Sequence, residues 1–350
     1  MESVANRKHR KTYDPVQPPQ LPTFGTTPIV VHTLTIVFRL SRPRTWAFPV
    51  IGFLLGYALA GGAALFQMGL GLGVAALVTA ATNIVNAYAD RKEDTVNQPR
   101  RVFWLDQIGS SGAVTTSVFL YVLAVALGLF LGPLFLVVLA FGIFNSVFYS
   151  MPPFRFKARP LASLISFSGA VGLAFLSGVS IQGSLNLLNP VFWLVTYFML
   201  TYGTVKNLPD YAGDRKAGTR TSATIFHSIK NAVSFSSIVL LTPYVLLLAL
   251  VASGELATIY LADLIMLPIL VFVLQGILKA KTSEKLEHLH TFGFFYAISF
   301  LLFTLVLTSA TLQSLAIIIG VYLWILLVSR VNFDSRIESR DWERQKRKNP

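Results

Sequence analysis

The sequence predicts an all-α fold: a polytopic membrane bundle of nine or ten transmembrane helices around a central cavity that opens to the cytoplasmic side. Two observations carry the bundle and its orientation, the composition and the placement of the basic residues. Hydrophobic residues make up 54% of the 350 positions and charged residues 13%, whereas soluble domains carry about 25% charged residues. Mean hydropathy is +0.62. A chain this apolar lacks the polar side chains to clothe a water-facing surface, and it is far too hydrophobic for disorder. With no cysteine, it holds no disulfide scaffold, no Cys-ligated zinc or iron–sulfur site and no cysteine nucleophile.

A spanning helix needs about 20 apolar residues to cross about 30 Å of hydrocarbon. In chain order such segments run near 46–66, 69–90, 113–131, 134–150, 161–181, 190–206, 232–252, 257–278, 292–309 and 312–330. Thr308, Ser309, Thr311, Gln313 and Ser314 break the last apolar stretch in two, which favours ten spans over nine. All 29 Lys and Arg residues fall in the two tails or in the loops after spans 2, 4, 6 and 8, and none falls in the other loops. Basic residues accumulate on the cytoplasmic side, so ten spans with both termini cytoplasmic leave none misplaced. Nine would strand the last tail on the wrong side. The net charge of +13 is therefore an orientation charge, and nucleic-acid binding is not expected.

The domain layout follows. Residues 1–35 read as a disordered basic cytoplasmic tail, 36–331 as the transmembrane domain and 332–350 as a charged cytoplasmic tail. The stretch Thr27–Phe38 is amphipathic enough to lie along the interface. Gly69, Gly71 and Gly73, and Gly169, Gly172 and Gly178, suit close helix contacts.

Two cytoplasmic junctions carry acids in one pattern. Running off span 2, Asn86, Asp90 and Asp94 recur every four residues and line one stripe of a helix. Asp210 and Asp214 repeat the spacing off span 6. Like charges at this spacing destabilise a helix unless a cation is shared between them. Oxygen ligands of this kind suit Mg²⁺, which is held by one or two carboxylates together with substrate phosphates. Arg101 on one side, and Lys206, Arg215, Lys216 and Arg220 on the other, are candidates for binding a diphosphate. Acids for metal, bases for phosphate and an oily bundle behind them describe a site for a diphosphate with a greasy tail. Arg91, Lys92 and Glu93 are expected off the stripe in solvent, as are His227, His288 and His290.

These residues resemble the UbiA superfamily of intramembrane prenyltransferases. Its first motif, N-x-x-x-D-x-x-x-D followed by N-x-P-x-R, is matched by Asn86, Asp90, Asp94, Asn97, Pro99 and Arg101. Its second, K-D-x-x-D-x-x-G-D-R-x-x-G, is matched by Lys206, Asp210, Gly213, Asp214, Arg215 and Gly218. A third, Y-S-x-P-P-x-R-x-K, is matched by Tyr149, Ser150, Pro152, Pro153, Arg155 and Lys157. The resemblance covers roughly residues 36–310. Departures are Asn207 where the second motif has Asp, Ala87 after the first-motif Asn, a different sequence after Arg101, and a tenth span.

The resemblance implies an Mg²⁺-dependent enzyme that ionises an allylic prenyl diphosphate, transfers the chain to a small lipophilic acceptor, aromatic or polycyclic by default, and releases pyrophosphate. It extends the metal rim to Asn207 and places Tyr149 and Ser150 nearest the cation or acceptor. The loops after spans 2 and 6 would close over the site. A terpene cyclase of the same fold, needing no acceptor, shares the diphosphate half of the site and stays open. A cation- or proton-coupled transporter is the alternative of another class, disfavoured because transporters place such acids near the midplane.

Overall fold

The computed structural model describes residues 29–280 and 283–330. The tail assigned to 332–350, and all but the last few residues of that assigned to 1–35, lie outside the described residues.

A short helix, α1 (Ile29–Leu40), opens the described chain. It packs Ile36 and Leu40 against Trp104 and Leu105, so it is docked on the bundle by one face. A 3₁₀ turn over Pro43–Trp46 leads into α2 (Ala47–Leu59). Then come α3 (Leu65–Ala89), the seven-residue α4 (Arg91–Asn97), α5 (Pro99–Gly128), α6 (Pro133–Ser150), α7 (Pro160–Ser180) and α8 (Pro190–Lys206). The last four each start on proline, whose fixed φ and missing N–H suit the first helical position. A second seven-residue helix, α9 (Tyr211–Ala217), follows. The rest is α10 (Ile229–Val239), α11 (Thr242–Ala252), a 3₁₀ stretch over Thr258–Met266 leading into α12 (Leu267–Lys279), α13 (Ser283–Thr308) and α14 (Leu312–Arg330).

Among the described residues, eight helical segments are long and apolar enough to cross a membrane. The expected spans at 46–66 and 190–206 form shorter helices, α2 with 13 residues and α8 with 17. Both lie deep in the core. The polar break after Thr308 separates α13 from α14 as expected.

The core is built on a close crossing of α2 and α7. A Cβ on Gly56 would fall 1.9 Å from the Phe175 carbonyl oxygen, and one on Gly178 would fall 2.2 Å from that of Phe53. Only glycine lets the backbones approach this closely, and small residues at interfaces are how membrane helices pack without a hydrophobic drive between them. Of the glycines singled out in sequence, Gly71, Gly172 and Gly178 sit at such contacts, whereas Gly69 faces open space.

Inside this frame α2, α3, α6, α7, α8 and α13 surround one cavity. Counting its mouth, it holds about 1410 Å³ of empty space. Apolar side chains such as Phe48, Phe135, Leu139 and Phe294 line it, and Asn86, Tyr149 and Lys206 stand at the end from which α4 and α9 emerge.

Candidate active site

The two acidic clusters sit on matching pieces of backbone. Asp90 precedes α4 and Asp94 is its fourth residue; Asp210 precedes α9 and Asp214 is its fourth. In each, the second Asp donates its backbone N–H to the first one's carbonyl oxygen, at 2.8 Å and 2.9 Å. The stripe counted from Asn86 is thus divided: α3 ends at Ala89 and α4 begins at Arg91, with Asp90 as the shared cap.

The two helices meet. The Asn97 amide at the end of α4 donates to Asp214 Oδ1 at 3.4 Å, and Thr219 donates to Glu93 Oε1 at 3.4 Å. Gly213 explains how closely they approach, since a Cβ there would fall 1.9 Å from Asn97 Oδ1.

The third motif closes the remaining side. Arg155 donates from Nη2 to Glu93 Oε1 at 2.6 Å. Lys157, 8% exposed, pairs with Asp90 and lies 3.9 Å from Glu93. Ser150 donates to Asn86 Oδ1 at 2.6 Å. Lys206 donates to the Tyr149 hydroxyl at 3.3 Å and sits 4.7 Å above the Phe167 ring. Asp90, Asp94, Asp214, Asn86, Tyr149, Ser150 and Lys206 are thereby joined in one region around the cavity mouth, and Asp210 lies next to it at the head of α9.

Several side chains are otherwise engaged. Arg101, expected to face a diphosphate, is buried and ion-paired to Asp94 at 2.8 Å, with its other nitrogen on the Asn83 carbonyl at 2.7 Å. Arg215 is exposed and donates to the Tyr211 hydroxyl and the His227 carbonyl, at 2.5 and 2.6 Å. Lys216 and Arg220 are exposed. Asn207 donates to Ser222 at 2.9 Å. Two expectations need correction. Glu93 is 7% exposed and links α4 to Arg155 of the third motif and to Thr219, just past the second, because it shares the inward face of α4 with Asp94 while Arg91 and Lys92 face outward. His290 is 7% exposed and lines the cavity, because α13 begins before the apolar run does and carries this residue into the bundle. Lys157 and Arg155 enter the site unforeseen, their only sequence signal being membership of the third motif.

Electrostatics follow from this crowding. Burial pushes the Asp94 carboxyl up to about 6; Arg101 opposes the shift, and Asp90 and Asp210 add to it. Burial likewise pushes Asp214 up to about 7, with Asp210 and Asp90 adding to it. Burial also works against ionising Glu93, but Lys157 and Arg155 outweigh it and hold that carboxyl below its usual range. The carboxylates therefore feel one another across the two helices, and burial outweighs the opposing positive charge of Arg101, Lys157 and Lys206. Among the described residues, no three His, Asp or Glu side chains lie close enough together to hold an ion by themselves.

The fold and the site together define a class: an integral membrane helical bundle whose two short acidic helices stand over an apolar cavity. The comparisons with known proteins specify it. Residues 47–298 match the UbiA prenyltransferase family, and the chain belongs to that family, whose members transfer alkyl groups of the prenyl type. It is an integral multi-pass membrane protein. Relatives include a digeranylgeranylglyceryl phosphate synthase of Methanothermobacter thermautotrophicus, 28% identical over 251 residues, covering 70% of this chain and 88% of the relative. Another of the same name from Halobacterium salinarum is 32% identical over 188 residues, covering 52% and 66%. The fold is shared with a UbiA homologue from Archaeoglobus fulgidus bound to DMAPP and Mg²⁺, with a TM-score of 0.59 and 20% identity, covering 76% of this chain and 98% of that one.

Proposed function

We propose that the chain transfers a prenyl group from an allylic prenyl diphosphate to a small lipophilic acceptor at this cavity mouth, with Mg²⁺, releasing pyrophosphate. One observation carries the proposal: α4 and α9 meet through Asn97 and Asp214 directly beside a cavity whose mouth holds Asn86, Tyr149 and Lys206 and whose depth is apolar. The relatives' names, and the prenyl diphosphate and Mg²⁺ bound by the A. fulgidus homologue, support it.

The residues fit a divalent cation. Lys157 already places an ammonium between Asp90 and Glu93, and the raised Asp94 and Asp214 leave room for more positive charge. Asp90, Asp94, Asp210 and Asp214, with the Asn86 amide, would hold Mg²⁺; Asn207 would contribute through its carbonyl oxygen, since its nitrogen is given to Ser222. Two half-sites without a preassembled cage suit an ion that completes its shell with phosphate oxygens. Bound Mg²⁺ supplies Lewis-acid neutralisation of the leaving diphosphate.

The chain's own groups do the rest. Lys157, Lys206 and Arg155 hold positive charge where the departing oxygens gain negative charge. Arg101 acts through Asp94, holding its carboxylate ionised and oriented. Lys216, Arg220 and Arg215 draw the anionic head towards the mouth from outside. Tyr149 offers a ring and an oxygen to the allylic carbon as it becomes positive, with Ser150 orienting Asn86 beneath it. The apolar wall keeps water from that carbon. In the membrane, α2 and α8 complete ten crossings, both tails are cytoplasmic and the site opens to that side, as the basic residues require.

The test is Mg²⁺-dependent pyrophosphate release by the purified chain from prenyl diphosphates, with and without lipophilic acceptors. Asp90→Ala, Asp94→Ala, Asp210→Ala and Asp214→Ala should each cost at least about a hundredfold in rate while the protein stays folded. Wild-type rates in all four would refute the proposal. Release of cyclic hydrocarbon without any acceptor would replace transfer by cyclisation.

A further inference from the structure

The shape of the cavity also bears on which chain is taken, on the footing of the function proposed above. Its wall can be measured along two helices. On α3 the lining recurs at three- and four-residue steps from Asn86 through Thr79 and Ala75 to Gly71, about 22 Å of one helix face. On α6 it runs from Tyr149 to Phe135, about 21 Å. Both measures start at the polar mouth and stop at the same kind of floor. Phe135 is 1% exposed, and the Phe53 ring closes on Gly71 so tightly that a Cβ there would fall 2.0 Å from Cζ.

An extended isoprene unit advances about 5 Å along four carbon–carbon bonds of about 1.5 Å. We propose that the cavity selects an allylic diphosphate of four isoprene units, and that Gly142 and Ala75 keep its path open by carrying almost no side chain. Gly142 lines the cavity about 10 Å below Tyr149. A Cβ built on it meets no heavy atom within 4 Å, so a larger residue there grows into free space instead of into a neighbouring helix. That depth is two isoprene units. Ala75 lies about 16 Å below Asn86 on the same scale, the depth of three units. The two positions mark the path at different distances, and the proposal requires their effects to differ in order.

The experiment measures affinity of the full-length protein, with Mg²⁺, for unreactive prenyl thiolodiphosphates of one, two, three, four and nine units. Wild type should gain at least about tenfold in affinity per unit up to four, as each added unit buries hydrocarbon, and gain nothing from four to nine. Gly142→Phe should weaken the four-unit analogue at least about thirtyfold more than the two-unit one. Ala75→Leu should remove the advantage of four units over three and spare that of three over two. Three results would overturn the proposal: a plateau at two units in the wild type, continued gain up to nine units, or equal loss at every length in both variants. Binding of no analogue at any length would instead bring down the transferase assignment, and the length rule with it.

Discussion

The buried Asp94–Arg101 pair gives a prediction whose size can be worked out. Arg101→Met keeps the aliphatic stem and removes the guanidinium. The pair is 2.8 Å apart with side chains 6% and 4% exposed, so water cannot replace the lost charge. At an effective dielectric of about 20, unit charges 4 Å apart interact by about 4 kcal/mol, or roughly 3 pKa units at about 1.4 kcal/mol each. Asp94, already pushed up to about 6 with Arg101 present, would then titrate well above 7. At neutral pH it takes a proton instead of remaining an unpaired buried anion, which caps the loss. Ionised at about 6, it already costs about 3 kcal/mol relative to a solvated Asp, and protonation at pH 7 costs about 4 kcal/mol. The difference, with about 1 kcal/mol for the bond to the Asn83 carbonyl, predicts destabilisation of about 2 kcal/mol, and the fold survives. Function suffers more, because Mg²⁺ must now displace a proton. The assay is a Mg²⁺ titration of prenyl diphosphate turnover at pH 7 and pH 9. The variant should need at least about a hundredfold more Mg²⁺ at pH 7 and recover most of the deficit at pH 9. An unchanged Mg²⁺ requirement at pH 7, or a deficit of equal size at pH 9, would refute the reasoning.

Other consequences concern the same junction. Asp94 and Asp214 have pKa values raised above those of an unfolded chain, so their contribution to stability is greatest below about pH 4 and is lost as pH rises through about 6 to 7. Mg²⁺ together with an unreactive prenyl thiolodiphosphate should therefore raise the melting temperature little at pH 5.5 and strongly at pH 8; the reverse order would contradict the raised values. Gly213→Ala should push α9 off Asn97 and weaken Mg²⁺-dependent substrate binding about tenfold or more, leaving the transmembrane bundle intact by circular dichroism. Because the chain has no cysteine, Asn97→Cys with Gly213→Cys should form a single disulfide on mild oxidation; two free thiols afterwards would show that α4 and α9 do not meet.

Much of this was legible in sequence because the signals are local. Apolar runs between basic loops mark the helices, and four-residue spacing marks the acids that end two of them. Glu93 escaped by being grouped with Arg91 and Lys92: seven residues at 100° put it about 20° from Asn86, on the acidic face, and α4 presents it to Arg155 and Thr219. Arg215 fails in the other direction: it follows Asp214 in the motif, yet its side chain runs outward to Tyr211 and the His227 carbonyl. Lys157 sits in a loop four residues beyond Pro153, and only the fold brings it over Asp90. The short α2 and α8 escaped for another reason. They are enclosed by neighbours, so their apolar runs report burial in protein as much as length across a bilayer.

The most direct measurement is the count of Mn²⁺ ions bound per chain by equilibrium dialysis, with and without an unreactive prenyl thiolodiphosphate. If the acidic helices act together on a shared diphosphate, tight metal binding should appear only when the analogue is present, and Asp90→Ala or Asp214→Ala alone should abolish it. Tight binding without the analogue, or binding that survives loss of either aspartate, would show that α4 and α9 do not form one site.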